Sequence, residues 1–281
     1  MNRLYLRQQL ESFLHEDIGF GDQSTTALFP DQTLVGEGKF IAKQEGIFAG
    51  GLIIEEVFRL FGNETTVNLI KEDGEHLRQG DVMAKVTGPY AQLLTAERVI
   101  LNLLQRLSGI ATVTNQTVSK LSNSEVRLTD TRKTTPGLRM LEKYAVRCGG
   151  GVNHRFGLDD AIMLKDNHIV AAGSISNAVS KVRSTVGHMI KIEVEIENQQ
   201  QLQEAIDANV DVIMFDNMSP AQIKQLIDRV PEHIVTEASG SISMENIAAY
   251  SDTGVHMISL GFLTHSAQAL DISFSLVEVI K

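Results

Sequence analysis

The chain has 281 residues, 43% hydrophobic and 21% charged, with a formal net charge of −10. That balance gives material for a core in one large domain or a large plus a small one, and argues against a nucleic-acid partner, which wants a basic face; an anionic substrate stays open because it feels only the local field. Cys148 is the single cysteine, which excludes an intrachain disulfide and suits a reducing compartment, and with no apolar signal core and no membrane-length apolar run, no membrane association is expected and a cytoplasmic location is the default.

From the amino terminus, helical periodicity occupies 3–15, followed by a strand-like run at 34–42, a helical one at 51–60, and strand-like runs at 65–71 and 82–87. Turns are marked by Asp73-Gly74, Gly80-Asp81 and Gly88-Pro89. This is an α+β pattern without a repeat. A helix from Leu93 to about Leu121 leads onward.

Beyond it the chain becomes periodic. β-prone runs occur at 126–130, 161–165, 190–196, 211–215, 233–238 and 256–260, followed by Asp130, Lys165, Glu195, Asp216, Ser239 and Gly261. The last four are 21, 23 and 22 residues apart, the length of a strand of ~5 residues, a helix of ~10–12 and two short loops. Helical patterns at Gln199–Asn209, Pro220–Arg229 and Ser243–Thr253 fill the intervals. Repeated β-α units predict a parallel sheet, here an α/β barrel-like one of about six units, with its chemistry at the carboxyl ends of the strands. The expected domains are an α+β amino-terminal one over 1–105 and an α/β barrel over 106–265.

Candidate chemistry collects at those strand ends. Thr129-Asp-Thr-Arg-Lys-Thr-Thr135 places Arg132 and Lys133 among hydroxyls ahead of Pro136-Gly137. A guanidinium fork and an ammonium point charge there make an anion site. Arg155 and Lys165 recur at or near later strand ends, with His154 beside Arg155, and Arg98 lies early on the long helix. Surface ion pairing is the ordinary fate of such cations. It is the expectation for Arg139, Lys143 and Arg147, on a helix after Pro136. Glu195 and Asp216 end consecutive strands and suit Mg²⁺ or a developing positive charge; strand-end solvation is the plainer alternative. Ser239-Gly240-Ser241, ahead of a helix expected near Ser243, suits a phosphate, with Gly261-Phe262-Leu263 as the other wall; an ordinary capped loop has the same composition. Cys148 reads as a packed thiol, and His168 and His265 have no assigned role.

These motifs also carry a resemblance. The segment TDTRKTTPGLRMLEKYAVRCGGGVNHRFGLDDAIMLKDNHI (129–169) resembles the quinolinate phosphoribosyltransferases. So do His15–Gly19 with Gly21-Asp22, Glu97-Arg98, Ser108–Thr112, Glu193–Glu195, Phe215–Asn217, Glu237–Gly240 and Leu263–Ser266. The resemblance implies transfer of a phosphoribosyl group from 5-phosphoribosyl 1-pyrophosphate to quinolinate, with loss of CO₂, in NAD biosynthesis. It implies substrate contacts from Arg98, Thr131, Arg132, Lys133, His154, Arg155, Lys165, Ser239, Gly240, Ser241, Gly261, Phe262 and Leu263. Glu195, Asp216 and Lys133 would be catalytic, with Mg²⁺ on the two carboxylates and no organic cofactor. It implies a homodimer with shared active sites through Arg98, possibly assembling further, and a carboxyl-terminal segment, 266–281, that returns to the amino-terminal domain. One departure stands out: glycine is usual at the position of Ser241. A related protein acting on another acceptor or serving molybdenum uptake, or a non-catalytic anion binder, are the other classes. Arg155 with Lys165-Asp166-Asn167-His168 is the quinolinate form of that segment.

Overall fold

The computed structural model describes residues 1–30, 34–123 and 125–280. Its first elements are α1 (Arg3–Ile18), α2 (Gln23–Leu28), β1 (Val35–Ala42), β2 (Gly46–Ile47), α3 (Gly51–Leu60), β3 (Thr66–Leu69), β4 (His76–Leu77), β5 (Val82–Pro89) and α4 (Tyr90–Val118). There follow β6 (Arg127–Thr129), α5 (Arg139–Cys148), β7 (Ile162–Leu164), α6 (Asp166–Ala172), α7 (Ile175–Arg183), β8 (Ile192–Ile196), α8 (Gln199–Asp207) and β9 (Val212–Asp216). The chain ends with α9 (Pro220–Leu226), β10 (Val235–Ser239), α10 (Ile247–Ser251), β11 (Met257–Ser259), α11 (Phe262–His265) and β12 (Ile272–Ile280).

The chain divides into two compact units. One comprises Met1–Asn115, Thr135–Gly150 and Ser266–Lys281; the other comprises Gln116–Thr134 and Gly151–His265. The expected boundary after residue 105 therefore falls inside α4, which runs through to Val118.

The first unit is built on an antiparallel sheet of order β12-β1-β5-β3. Residues alternate between buried and partly exposed along β1, as a strand with one face on a core requires. Gly38 leaves room for the Phe274 ring of β12, which also meets Phe40 at 4.8 Å between centroids. The carboxyl-terminal strand is thus stitched into this unit along the length of β1. α2 escaped the sequence reading because it is only 6 residues long; Asp22 starts it by accepting the Thr25 amide. Lys143 corrects an expectation. It is fully buried, because α5 buries Leu141, Glu142, Lys143, Ala145 and Val146 around most of its circumference. Arg147 stays exposed and lies over the Tyr144 ring at 5.7 Å.

The second unit holds six parallel strands in the order β6-β11-β10-β9-β8-β7. This is the predicted parallel barrel-like sheet. Among the described residues no ladder joins β6 to β7; a single bridge between Thr129 and Val152 extends the β6 edge instead. The Val152 amide donates to Leu128 O and the Asp130 amide to Val152 O. Register fixes the heights of the strand-end groups: Asp216 lies opposite Ser239, and Glu195 opposite Met214. One helix differs from the sequence reading. α10 starts at Ile247, because Ser243–Asn246 form a turn in which the Asn246 side chain accepts the Ser243 amide.

Candidate active site

Eleven of the predicted residues line one cleft at the carboxyl ends of the strands in the second unit. They are Thr131, Arg132, Lys133, His154, Arg155, Lys165, Glu195, Asp216, Ser239, Gly240 and Ser241, around a volume of about 560 Å³. Met163, Met214, Asn217 and Ser259 complete the lining and were not foreseen. Met163 and Met214 sit within strands, where sequence alone marks them as core. Asn217 follows Asp216 directly and carries a positive φ of 53°, a conformation asparagine adopts more readily than most residues.

The loop after β6 is shaped by its own hydroxyls. Thr131 Oγ1 accepts the Lys133 amide at 3.0 Å, and Thr264 Oγ1 donates to Lys133 O at 2.8 Å. Gly261 lies close beside it: a Cβ there would come 2.8 Å from Lys133 Cδ, so the lysine stem would have to shift. Gly261, Phe262 and Leu263 are not among the cleft's lining residues, and Leu263 is fully buried. In the described structure Gly261 makes space for the Lys133 stem. Arg98 lies on α4 in the first unit.

Asp130 is fully buried at the end of β6 and organises the next loop. Its two oxygens accept from Asn153 Nδ2 at 2.6 Å and from the His154 amide at 2.9 Å. Arg155 then reaches back, donating from Nη1 to Ala161 O at 2.7 Å. Burial and the neighbouring Arg132 charge lower the pKa of the Arg155 guanidinium; Glu193 and Glu195 oppose that shift. A partly desolvated guanidinium beside another cation is poised for an anion.

Lys165 Nζ contacts Glu195 Oε1 across the gap between adjacent strands β7 and β8. Burial raises the Glu195 carboxyl above its ordinary range, and the Lys165 ammonium pulls it back down. His168, unassigned from sequence, accepts the Lys165 amide through Nδ1 and so starts α6. Beneath these groups, Glu193 and Glu237 are buried, and His154 Nε2 lies 3.2 Å from Glu193 Oε2 and 3.6 Å from Glu237 Oε1. Burial and the Glu193 charge push the Glu237 carboxyl up to about 7, against the pull of His154.

The phosphate-type loop depends on backbone shape. Gly240 and Ser241 both have positive φ, 82° and 54°. With α10 starting only at Ile247, the loop does not run directly into a helix, and an anion would meet loop N–H groups and hydroxyls. The Asn217 amide donates to Ser239 O at 2.9 Å, Asn217 Nδ2 donates to Asp216 Oδ2 at 2.9 Å, and Ser241 Oγ to Asn217 Oδ1 at 3.3 Å. Asp216 and the loop are therefore one hydrogen-bonded assembly.

Cations and carboxylates gathered at the mouth of a parallel α/β sheet define an enzyme that acts on a polyanionic substrate. Two family models match the chain: the quinolinate phosphoribosyl transferase N-terminal domain over residues 22–108 and the C-terminal domain over 110–275. The chain belongs to the quinolinate phosphoribosyl transferase family. It is 55% identical over 273 residues to the probable nicotinate-nucleotide pyrophosphorylase (carboxylating) of Bacillus subtilis (strain 168), covering 97% of this chain and 94% of that one. It is 39% identical to the nicotinate-nucleotide pyrophosphorylase (carboxylating) of Mycobacterium leprae (strain TN), covering 96% of each. The crystal structure of NadC from Streptococcus pyogenes superposes with a TM-score of 0.94 at 42% identity, covering 99% of both chains.

Proposed function

We propose that the chain is a nicotinate-nucleotide pyrophosphorylase (carboxylating), converting quinolinate and 5-phosphoribosyl 1-pyrophosphate to nicotinate mononucleotide, pyrophosphate and CO₂ in de novo NAD biosynthesis. The observation that carries this reading is the convergence of Arg132, Lys133, Arg155 and Lys165 with Glu195 and Asp216 around one cleft. Both substrates are polyanions, and the reaction develops positive charge at one carbon.

The pyridine nitrogen attacks C1 of the ribose while the C1–O bond to pyrophosphate breaks. Positive charge rises on the ribose ring, and Glu195 and Asp216 face it with negative charge already in place. Lys133 and its neighbouring cations take up the charge of the departing pyrophosphate. The quaternised ring nitrogen then accepts the electron pair of the C2–carboxylate bond as CO₂ leaves, and C2 takes a proton from solvent. No side-chain nucleophile is needed; position and fixed charge supply the catalysis.

The hard carboxylate oxygens of Glu195 and Asp216 fit Mg²⁺ as a donor set. When bound with the donor's phosphates, Mg²⁺ supplies charge neutralisation for the leaving group. The reading includes a homodimer in which Arg98 of one subunit serves the cleft of the other, and a cytoplasmic location. No helix among the described residues is long and apolar enough to cross a membrane.

The test is quinolinate-dependent release of CO₂ with formation of nicotinate mononucleotide and pyrophosphate, run with EDTA and with Mg²⁺ restored. Nicotinic acid, lacking the 2-carboxylate, leaves cleft cations without the partner they are set to meet and should turn over at least ~10²-fold less efficiently. Comparable turnover of the two acceptors, or no product from quinolinate, refutes the assignment.

A further inference from the structure

The trio His154, Glu193 and Glu237 takes no part in the reaction as written, yet it lies under the acceptor cations. His154 Nδ1 accepts the Arg155 amide hydrogen at 2.8 Å, so the ring's own hydrogen sits on Nε2. That nitrogen faces Glu193 Oε2 at 3.2 Å and Glu237 Oε1 at 3.6 Å. The three groups have ligand atoms within 4.8 Å of one another, a spacing that also suits a small cation. The hydrogen on Nε2 decides between the two: a nitrogen that donates has no lone pair left for a metal.

What remains is a donor aimed between two carboxylates on different strands, β8 and β10. The Glu193 and Glu237 side chains are only 7% and 5% exposed. Glu193 Oε1 and Glu237 Oε1 are buried without a hydrogen-bond partner among the described residues. Burial of two carboxylates so incompletely paired costs stability, so stability gives no reason for their presence. The ring they face does give one. Its other nitrogen holds the Arg155 peptide, and its own amide is held by Asp130 at 2.9 Å.

We propose that Glu193 and Glu237 are positioning residues for acceptor binding: with the Nε2 hydrogen aimed between them they fix the His154 ring, and through Nδ1 they fix the Arg155 peptide and the direction of its guanidinium. This rests on reading the cleft as the site of a pyridine-2,3-dicarboxylate. Glu237 is the cleaner one to alter, because Glu193 shares β8 with Glu195.

Steady-state kinetics of Glu237→Ala and Glu237→Gln, each in the wild-type and the His154→Ala background, test the proposal. In the wild-type background Glu237→Ala raises KM for the pyridine dicarboxylate about 10-fold, the scale of losing one charge contact at the 3.6 Å between its carboxylate and Nε2, with kcat changed less than ~3-fold. Glu237→Gln, which keeps the shape and an oxygen facing Nε2 but not the charge, recovers part of that loss. In the His154→Ala background the same substitutions change KM less than ~2-fold, because the group they act through is gone. Equal effects in both backgrounds overturn the proposal. Nitrogen-15 NMR of the histidine rings decides independently of turnover. Wild-type His154 shows the Nε2–H tautomer, and Glu193→Ala with Glu237→Ala weakens that preference, leaving the Arg155 amide on Nδ1 as its remaining support. A wild-type Nδ1–H tautomer overturns the positioning role, whereas absent quinolinate turnover overturns only the functional reading.

Discussion

Gly240→Ala offers the sharpest test of how the phosphate-type loop is built. At φ +82° an added Cβ would lie 2.2 Å from Asn217 Oδ1, 2.7 Å from its Cγ and 2.8 Å from its backbone nitrogen. The amide oxygen could swing away; the backbone nitrogen cannot without moving β9's end. The left-handed conformation itself costs a non-glycine residue roughly 1–2 kcal/mol. Displacing Asn217 breaks its hydrogen bonds to Asp216 and Ser241, a further loss of roughly 1–3 kcal/mol. The expected destabilisation is about 2–5 kcal/mol, a fall in melting temperature of roughly 3–9 °C for a chain of this size. Ser241→Gly is the matched control. At φ 54° the serine already bears left-handed strain, so glycine there should leave stability unchanged or raise it by up to ~1 kcal/mol, less the lost Oγ hydrogen bond. Adjacent substitutions thus carry opposite signs. Calorimetry reads both, and donor KM in the same variants reads the loop. If Gly240→Ala melts with the wild type, the contact between Gly240 and Asn217 does not set the loop's shape.

Asp130→Ala strips the buried acceptor from two part-buried donors, Asn153 Nδ2 and the His154 amide, and should cost about 2–4 kcal/mol in chemical denaturation; a loss under ~0.5 kcal/mol contradicts the clamp. The Glu237 carboxyl is raised from 4.5 to about 7 in the folded protein, so the folded state binds its proton more tightly than the unfolded one. Its contribution is therefore full below the unfolded value and is lost as pH rises through the folded one; Glu237→Gln should flatten the fall in stability across that window, and superimposable pH profiles count against the shift. Burial and the Asp73 charge push the Cys148 thiol up to about 11, so iodoacetamide near neutral pH should react with it on the order of 10²-fold more slowly than with a free thiol; labelling at the free-thiol rate refutes this. Arg98→Ala and Lys133→Ala proteins, each inactive alone, should recover roughly a quarter of wild-type activity on random subunit exchange if sites are shared across a two-fold axis; no recovery with exchange verified by native mass spectrometry rules out shared sites.

Much of the second unit could be read from its sequence because a parallel βα repeat writes itself as a period. From Glu195 onward strand ends recur near every twenty-second residue, so spacing alone sets Glu195, Asp216 and Ser239 on one rim. Lys165, Arg155 and Arg132 followed from the same rule and from the family motifs. What failed to show depends on contacts distant in sequence. Gly261 reads as a ligand-binding glycine, and its closeness to the Lys133 stem, where a Cβ would come 2.8 Å from Cδ, has no mark in the sequence. Lys143 carries no mark of burial, since a lysine on an amphipathic helix reads as solvent-facing. The late start of α10 reflects Asn246 folding back on Ser243, a local hydrogen bond that competes with the helix. The Glu193–His154–Glu237 trio joins two strands and a loop, and nothing in the spacing of any single segment announces it.

Among the described residues, no ladder between β6 and β7 closes the sheet that carries the cleft. In a closed barrel, strand number and stagger fix the bore, and no side chain can widen it. Here the circumference between β6 and β7 is spanned by the stretch from Val152 to Ala161, tied by Asp130 at one end and by the Arg155 guanidinium on Ala161 O at the other. The width of the mouth is therefore set by a loop. Shortening or lengthening that span would retune which ring system enters while leaving every strand pairing of the sheet in place.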